Sequence, residues 1–208
     1  MIDIITELNA INRAVGNRQL ADGEGIGVVL RRRYPAPIDD VWDALTDPDR
    51  LRRWFLPISG DLRVGGTFQL EGNAGGEILT CDPPTRLKAT WGGPASVVEL
   101  RLFADTAEET TLELEHTVPL VFAGSGAGAL FVGPGWDIGF LGLGRFLRGE
   151  VVDDPVAWEN TTEVQQYSKQ TIEAWTAAVE SSGTATAEEI TAGAEAARSQ
   201  FTPGLPAD

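Results

Sequence analysis

Cysteine and histidine each occur once in this sequence of 208 residues, as Cys81 and His116. A single cysteine excludes a disulfide framework, and one cysteine with one histidine cannot supply the usual ligands of a zinc site. Any catalytic arrangement that needs two imidazoles is excluded as well. The sequence therefore predicts no metal site, and Cys81 is expected to be a structural thiol, since it lies beside a turn without a basic neighbour.

Basic residues are also scarce. Lysine and arginine number 16 against 31 aspartates and glutamates, which gives a net charge of −15. Such a surface repels phosphate backbones, so nucleic acid is not an expected partner. Residues 150–208 hold eleven acidic residues against Lys169 and Arg198, a net charge of −9. This acidic segment is expected to be a helical extension, with either a solvated face or a surface for a protein partner.

No segment has the pattern of a targeting signal or a convincing membrane span. The N-terminus carries Asp3 and Glu7 where a secretory signal would be basic, which favours a cytoplasmic protein. Residues 117–136 lack charge and have the length of a membrane span, but they contain five glycines and two prolines. We therefore expect no membrane span.

The N-terminal third alternates between helical and extended patterns. Ile2, Ile5, Leu8, Ile11 and Val15 recur at helical spacing and predict an amphipathic helix, followed by a polar connector over 17–25. A strand is predicted over 27–34, which the prolines at 35 and 37 end. Two short helices follow, over 38–45 and from Asp47 to Trp54, the second with Asp47 as N-cap and proline at its first position.

Residues 61–117 have a period of two with turn residues at short intervals, which predicts an antiparallel meander. Strands are expected near 67–72, 76–82, 86–91, 96–103 and 110–117. Alternation places Leu112 and Leu114 on an apolar face and Glu113 and Glu115 on the opposite one. The sheet should therefore have one dry face and one wet face, with Glu77, Glu99 and Glu115 in solvent.

The C-terminal part is helical. An almost wholly apolar helix with several glycines is predicted over 136–147, and these glycines leave room for close packing by another helix. A further helix is expected from Pro155 to Val179, covering the first. Thr186 and Glu189 form a capping-box pattern for a last helix.

The local strings, taken in order, resemble those of a known family. They are Tyr34-Pro35-Ala36-Pro37, Val41-Trp42-Asp43-Ala44, Thr46-Asp47-Pro48, Arg53-Trp54-Phe55, Asp61-Leu62-Arg63-Val64-Gly65-Gly66, Gly76-Glu77-Ile78, Pro83-Pro84-Thr85-Arg86-Leu87, Thr90-Trp91, Leu112-Glu113-Leu114-Glu115-His116 and Gly135-Trp136. Over residues 26–148 the chain resembles the heat-shock-protein-90 ATPase activator homologue family of the START-like (SRPBCC) superfamily, in a longer subgroup with a C-terminal helical extension.

The resemblance implies an α+β helix-grip fold, in which a curved antiparallel sheet wraps around a long C-terminal helix and encloses a hydrophobic cavity. The expected division is 1–25 for an N-terminal helix and connector, 26–148 for the helix-grip domain and 149–208 for the acidic extension. Residues 1–25 are too few for the separate chaperone-binding domain of the eukaryotic activators, so co-chaperone activity is not expected.

The predicted cavity would be lined by residues of the dry sheet face and of the apolar helix. The ligand-binding candidates are Trp54, Phe68, Leu70, Trp91, Leu100, Leu112, Leu114, His116, Trp136 and Phe140. Alternation points the imidazole of His116 at the apolar face. It is either a neutral packing residue or the group that hydrogen-bonds a ligand or acts as a general base, so it is the one candidate catalytic residue.

Two further motifs favour structural interpretations. Gly124-x-Gly126-x-x-Ala129 imitates a dinucleotide-binding motif but lies outside any βαβ unit, so no cofactor is expected. Arg31, Arg32 and Arg33 alternate faces along a strand, which is typical of a solvated edge and cannot form one phosphate cradle.

Three functions remain open. The favoured one is binding of a hydrophobic or amphipathic small molecule in the cavity, without catalysis. The second is a cyclase or isomerase that uses His116. The third is an interaction module that binds a chaperone or another protein through the acidic C-terminal helices. A homodimer is also left open.

Overall fold

The computed structural model describes residues 1–21 and 23–206. The helices are α1 Ile4–Asn9, α2 Ile38–Thr46, α3 Pro48–Leu51, α4 Leu120–Ala123, α5 Ala129–Leu147, α6 Pro155–Glu159, α7 Thr162–Ser182 and α8 Ala187–Phe201. The strands are β1 Ile11–Leu20, β2 Gly23–Tyr34, β3 Ile58–Gly60, β4 Thr67–Leu70, β5 Gly75–Asp82, β6 Arg86–Thr90, β7 Val97–Ala104 and β8 Thr110–Pro119.

The strands form one open antiparallel sheet in the order β1-β2-β8-β7-β6-β5-β4-β3. Strands β3 to β8 are each paired with the next along the chain, as expected for the predicted meander. In the β6–β7 register Ala89 lies opposite Val98, and Lys88 lies opposite Glu99. An open antiparallel sheet with long C-terminal helices is the predicted α+β helix-grip fold.

The chain divides into two compact units. The first unit consists of Met1–Leu30, Thr117–Phe140 and the chain from Ala157 onward. The second unit consists of Arg31–His116 and Leu141–Val156. The division expected from the sequence, with boundaries after residues 25 and 148, stays a proposal.

The N-terminal prediction was wrong beyond Asn9. Helix α1 ends there, the residues predicted to continue it belong to β1, from Ile11 to Leu20, and the last part of the predicted connector belongs to β2 from Gly23. Strand β1 buries Ile11 and turns Arg13 and Val15 toward the same side, with period two. Because an arginine stands in the middle of this inward face, the alternation of apolar residues is interrupted and the helical spacing is the more visible pattern.

The two short helices of the second unit begin where the sequence predicts them, but α3 ends at Leu51 and not at Trp54. Helix α3 begins at Pro48, and the carboxylate of its N-cap Asp47 accepts a hydrogen bond of 2.9 Å from the backbone N–H of Arg50. Helix α2 buries Val41, Trp42 and Ala44 on one face. These contacts fix the start of α3, and with it the arginines that follow.

The apolar helix is longer than predicted, and the helix after it is divided. Helix α5 begins at Ala129 and contains Pro134, because the burial of Leu130 and the packing at Gly133 outweigh the low helix propensity of this segment. The helix expected from Pro155 to Val179 is instead α6 and α7, and Thr161 caps α7. The capping box of Thr186 and Glu189 at α8 is confirmed. No helix in the described ranges has the length and hydrophobicity needed to cross a membrane.

Helix α7 packs closely on α5 within the first unit. The indole of the fully buried Trp175 lies against Gly133, so closely that a Cβ atom on this glycine would overlap the ring. At Gly139, one and a half turns further along α5, an added Cβ would meet no atom within 4 Å. Close packing was therefore predicted for the right helix but not for the right glycine, since α7 packs closely at Gly133, outside the predicted range 136–147, and not at Gly139.

Gly133→Ala is expected to destabilise the protein by about 2 kcal/mol, since overpacking against a fixed ring outweighs the better helix propensity of alanine. Gly139→Ala is the matched control on the same helix, and it should be neutral or stabilising by up to about 1 kcal/mol. Urea unfolding of both variants measures the difference. Equal effects at the two positions would show that Trp175 does not pack on Gly133 in this way.

Candidate functional site

The dry face of the sheet is apolar, as predicted, and its residues within the second unit are largely buried. Phe68, Leu70, Leu112 and Leu114 are buried, and Trp91 and Leu100 are half-buried. The rings of Phe68 and Trp91 lie 6.1 Å apart, centroid to centroid, at a tilt of 44°. This arrangement forms an apolar surface with an aromatic pair at one end of β4 and β6.

His116 is the polar group on this face. It has the parity of Leu112 and Leu114 on β8, and it is 3% exposed. Its Nε2 atom lies 2.8 Å from the hydroxyl oxygen of Ser96, which is a hydrogen bond whose donor depends on the imidazole tautomer. Burial lowers the pKa of His116 to about 4, because the apolar surroundings disfavour the charged ring.

The chemistry of this pair follows from its charge state. With a pKa of about 4, the imidazole is neutral at pH 7. A neutral ring can accept a proton from a hydroxyl, or it can exchange hydrogen bonds with a polar group of a bound molecule. The Ser96 hydroxyl was not identified from the sequence, since nothing in the pattern near residue 96 distinguishes it from an ordinary turn residue.

The other three predicted site residues lie outside this sheet face, in the core beside α2 or on α5. Trp54 is buried, but its indole N–H donates to the carbonyl oxygen of Ala44 at 3.0 Å, and its ring stacks on Phe55. This N–H is therefore used within the core and is not offered to a ligand. The half-buried Trp136 and the buried Phe140 lie on α5 and belong to the first unit.

The opposite face of the meander carries an ion-pair network. Arg101 lies 3.0 Å from Glu99, 2.9 Å from Glu113 and 3.3 Å from Glu115, and Glu99 also lies 2.7 Å from Arg86. Glu99 is buried, so its prediction as a solvent residue was wrong. Burial alone would raise the pKa of Glu99, but hydrogen bonds from Arg86 and Arg101 and their charges lower it below its ordinary value. The network connects β6, β7 and β8 through their side chains and has a structural role.

The middle arginine of Arg31-Arg32-Arg33 also departs from the prediction. Arg31 and Arg33 are exposed, but Arg32 is buried, with its guanidinium 5.0 Å from the ring centroid of Tyr34. A Cβ atom on Gly144 would lie 2.9 Å from this guanidinium. A glycine in α5 therefore makes room for an arginine that shares the buried face of β2 with Leu30 and Tyr34.

The glycine-rich motif near 124 has a packing role. The backbone N–H of Gly126 donates to the carbonyl oxygen of Thr184 at 3.0 Å, and a Cβ atom on this glycine would overlap the Thr184 side chain. Among residues 1–21 and 23–206, no group of three or more histidine, cysteine, aspartate or glutamate residues is placed to hold a metal ion.

Comparison with known proteins identifies the family. The family model described as "Activator of Hsp90 ATPase homolog 1-like protein" matches residues 35–137. The crystal structure of CalU16 from Micromonospora echinospora is 41% identical, with a TM-score of 0.67, over 82% of this chain and 99% of CalU16. This chain belongs to the activator of Hsp90 ATPase homolog 1-like family. The similarity to CalU16 extends well beyond the residues that the family model matches.

Further solved structures share the fold. The solution structure of CalU16 is 42% identical, with a TM-score of 0.70, over 83% of this chain and 96% of that one. DynU16, from the dynemicin biosynthetic locus, is 28% identical with a TM-score of 0.54 over 60% of this chain, which spans about half (48%) of DynU16. An HSP90 activator from Plasmodium falciparum, 24% identical over 59% of this chain and 96% of its own with a TM-score of 0.51, shares the fold. No curated protein matches the sequence.

Proposed function

We propose that this member of the family binds a hydrophobic or amphipathic small molecule on the apolar sheet face of the second unit, with His116 as the group that orients it. The observation that carries the proposal is the buried, neutral His116 hydrogen-bonded to Ser96 on a largely apolar face. Small-molecule sites are mostly apolar, with a few polar groups that fix orientation. Ser96, which directly precedes β7, gives Nε2 of His116 a hydrogen-bond partner, as any buried polar atom requires.

The lining of the site is proposed from the same face. Phe68, Leu70, Trp91, Leu100, Leu112 and Leu114 supply the apolar contact, and the half-buried Trp91 marks its accessible end. We also predict that Trp136 and Phe140 line the site. Trp54 serves the core of the domain, since its polar atom is bonded to Ala44.

The class of ligand has support from one relative. DynU16 comes from the dynemicin biosynthetic locus, which supports an intermediate or product of biosynthesis as the ligand. Polyketide-like aromatics, lipids and sterols are therefore all candidates.

A direct test titrates the anthraquinone emodin, palmitate and cholesterol into the full chain and follows tryptophan fluorescence. At least one of them is expected to change the emission saturably, because Trp91 lies at the accessible end of the proposed site. His116→Gln should weaken that binding about fivefold, roughly the value of one hydrogen bond. Glu77→Gln, an exposed change on β5, is the matched control and should leave the affinity unchanged.

Two results would contradict the proposal. One is the lack of any saturable response up to the solubility limits of all three compounds. The other is an affinity that His116→Gln and Glu77→Gln leave equally unchanged, because the ligand would then bind elsewhere.

A cyclase or isomerase is the second candidate, and the Ser96–His116 contact favours it specifically. An imidazole hydrogen-bonded to a hydroxyl at 2.8 Å supplies the contact that proton transfer requires, and a bound substrate would have to raise the pKa of His116 for the ring to act as a base. Mass and chromatographic analysis of the compounds recovered from the titration separates the two functions. Unaltered compounds support binding alone, and conversion that His116→Gln abolishes supports the enzyme.

Docking of a protein partner on the acidic helices α7 and α8 stays a prediction, as do a homodimer and a cytoplasmic location.

A further inference from the structure

A concave site in the second unit shares no lining residue with the apolar face proposed above. It is a cleft of about 420 Å³ lined by Arg52, Arg53, Phe146, Gly149, Glu150, Val151, Val152 and Asp153. Two arginines that follow α3 form one wall, and the segment that follows α5 forms the other. The volume falls within the range of sites for small organic molecules.

Arginines are concentrated around this cleft. Arg50, Arg52, Arg53, Arg145 and Arg148 are five of the 16 basic residues of a chain with a net charge of −15. Three of the nearby carboxylates are occupied by ion pairs: Asp40 lies 2.7 Å from Arg50, Asp49 lies 3.2 Å from Arg52, and Glu150 lies within 3.0 Å of both Arg145 and Arg148. Glu150 lines the cleft, and its ion pairs with Arg145 and Arg148 balance its charge.

Arg53 is held differently. Its guanidinium lies 5.5 Å from the ring centroid of Phe146, and it forms no ion pair with any residue in 1–21 or 23–206. Arg50 lies 5.3 Å from the same ring. Cation–π contact positions a guanidinium without neutralising its charge, so Arg53 keeps its hydrogen-bond donors for another acceptor.

The chemistry of the walls defines the ligand. An arginine fork matches a carboxylate group, with two parallel hydrogen bonds, while Phe146, Val151 and Val152 offer apolar contact beside it. We infer that this cleft is a binding site for a small carboxylate with an apolar body, recognised through Arg53. The site is independent of the function proposed for the apolar sheet face.

Asp153 is the opposing charge in the cleft, and it supplies a second test with the opposite sign. A carboxylate ligand is repelled by Asp153 and attracted by Arg53. Neutralising Asp153 should therefore strengthen carboxylate binding, and neutralising Arg53 should weaken it. Contact with an apolar surface alone would give neither change.

The experiment measures binding of 2-naphthoate and of its neutral isostere 2-naphthamide to the full chain by isothermal titration calorimetry. The wild type should bind the carboxylate at least tenfold more tightly than the amide. Arg53→Gln should weaken the carboxylate about tenfold without changing the amide, and Asp153→Asn should strengthen the carboxylate about twofold. Arg63→Gln is the control, since Arg63 is an exposed arginine paired with Asp61 away from the cleft.

Equal affinity for the two compounds, or equal effects of Arg53→Gln and Arg63→Gln, would overturn the inference. Naphthoate binding that His116→Gln weakens and Arg53→Gln does not would place the compound on the apolar sheet face. That result would support the proposed function and reject the cleft, so failure of one proposal is distinguishable from failure of the other.

Discussion

Asp137→Ala is expected to lower the free energy of unfolding by about 3–5 kcal/mol, the usual cost of removing one partner from a buried ion pair. Asp137 lies in α5 and its side chain is 0% exposed, while that of Arg13 in β1 is 7% exposed. The two residues are 124 positions apart in the sequence. The ion pair therefore connects the N-terminal strand to the central helix of the first unit.

The effect should be large because every polar atom at this point has a protein partner. Asp137 accepts hydrogen bonds from Nε of Arg13 at 3.1 Å, from Nη2 of Arg13 at 2.6 Å and from the indole N–H of Trp175 at 2.6 Å. The remaining Nη1 of Arg13 donates to the carbonyl oxygens of Leu8 and Ile11. Removing the carboxylate leaves a buried guanidinium and a buried indole N–H without their acceptor.

Urea unfolding at pH 7 measures this loss. Asp40→Ala is the matched control, because it removes the carboxylate of a partly exposed ion pair, Arg50–Asp40 at 2.7 Å, and should cost at most about 1 kcal/mol. If Asp137→Ala cost no more than this control, the buried network would have no part in stabilising the first unit.

The second large effect is a pH dependence of stability that arises from His116. In the folded protein the pKa of His116 is about 4, and in the unfolded chain it returns to its ordinary value near 6.5. Between these values the unfolded state binds more protons, so stability is fully present above pH 6.5 and is lost as the pH falls towards 4. From pH 7 to pH 5 this group alone should remove about 2 kcal/mol.

The measurement compares the wild type with His116→Gln by urea unfolding at several pH values between 7 and 4.5. Subtracting the free energy of unfolding of His116→Gln from that of the wild type at each pH removes the contribution of the carboxylates, which titrate in both proteins. The difference should shrink as the pH falls, because only the wild type has a buried imidazole to protonate. A difference that is constant over this range would contradict the burial of a neutral ring.

Much of the fold could be predicted because it depends on local patterns. The meander, the N-cap at Asp47 and the capping box at Thr186 each depend on residues within a few positions of one another, and all were predicted. Strand β1 was not, since Arg13 occupies an inward position where the pattern requires an apolar residue. The partner that makes this position tolerable, Asp137, is too distant in sequence for any local pattern to indicate.

The candidate site shows the same limit. Alternation placed His116 on the apolar face correctly, because parity along one strand is a local property. Its partner Ser96, the buried position of Glu99 and the acceptor used by the Trp54 indole all depend on pairing between separate elements. The arginine cleft was missed for this reason, since its two walls are about one hundred positions apart in the sequence.

The proposed ligand site can be tested most directly by nuclear magnetic resonance of the His116 ring in the tag-free protein. His116 is the single histidine, so its imidazole signals need no assignment. Titration with the compound that gives the largest tryptophan response should shift these signals saturably, with the same dissociation constant as the fluorescence change. Imidazole signals that stay fixed while the fluorescence saturates would contradict a ligand bound at His116.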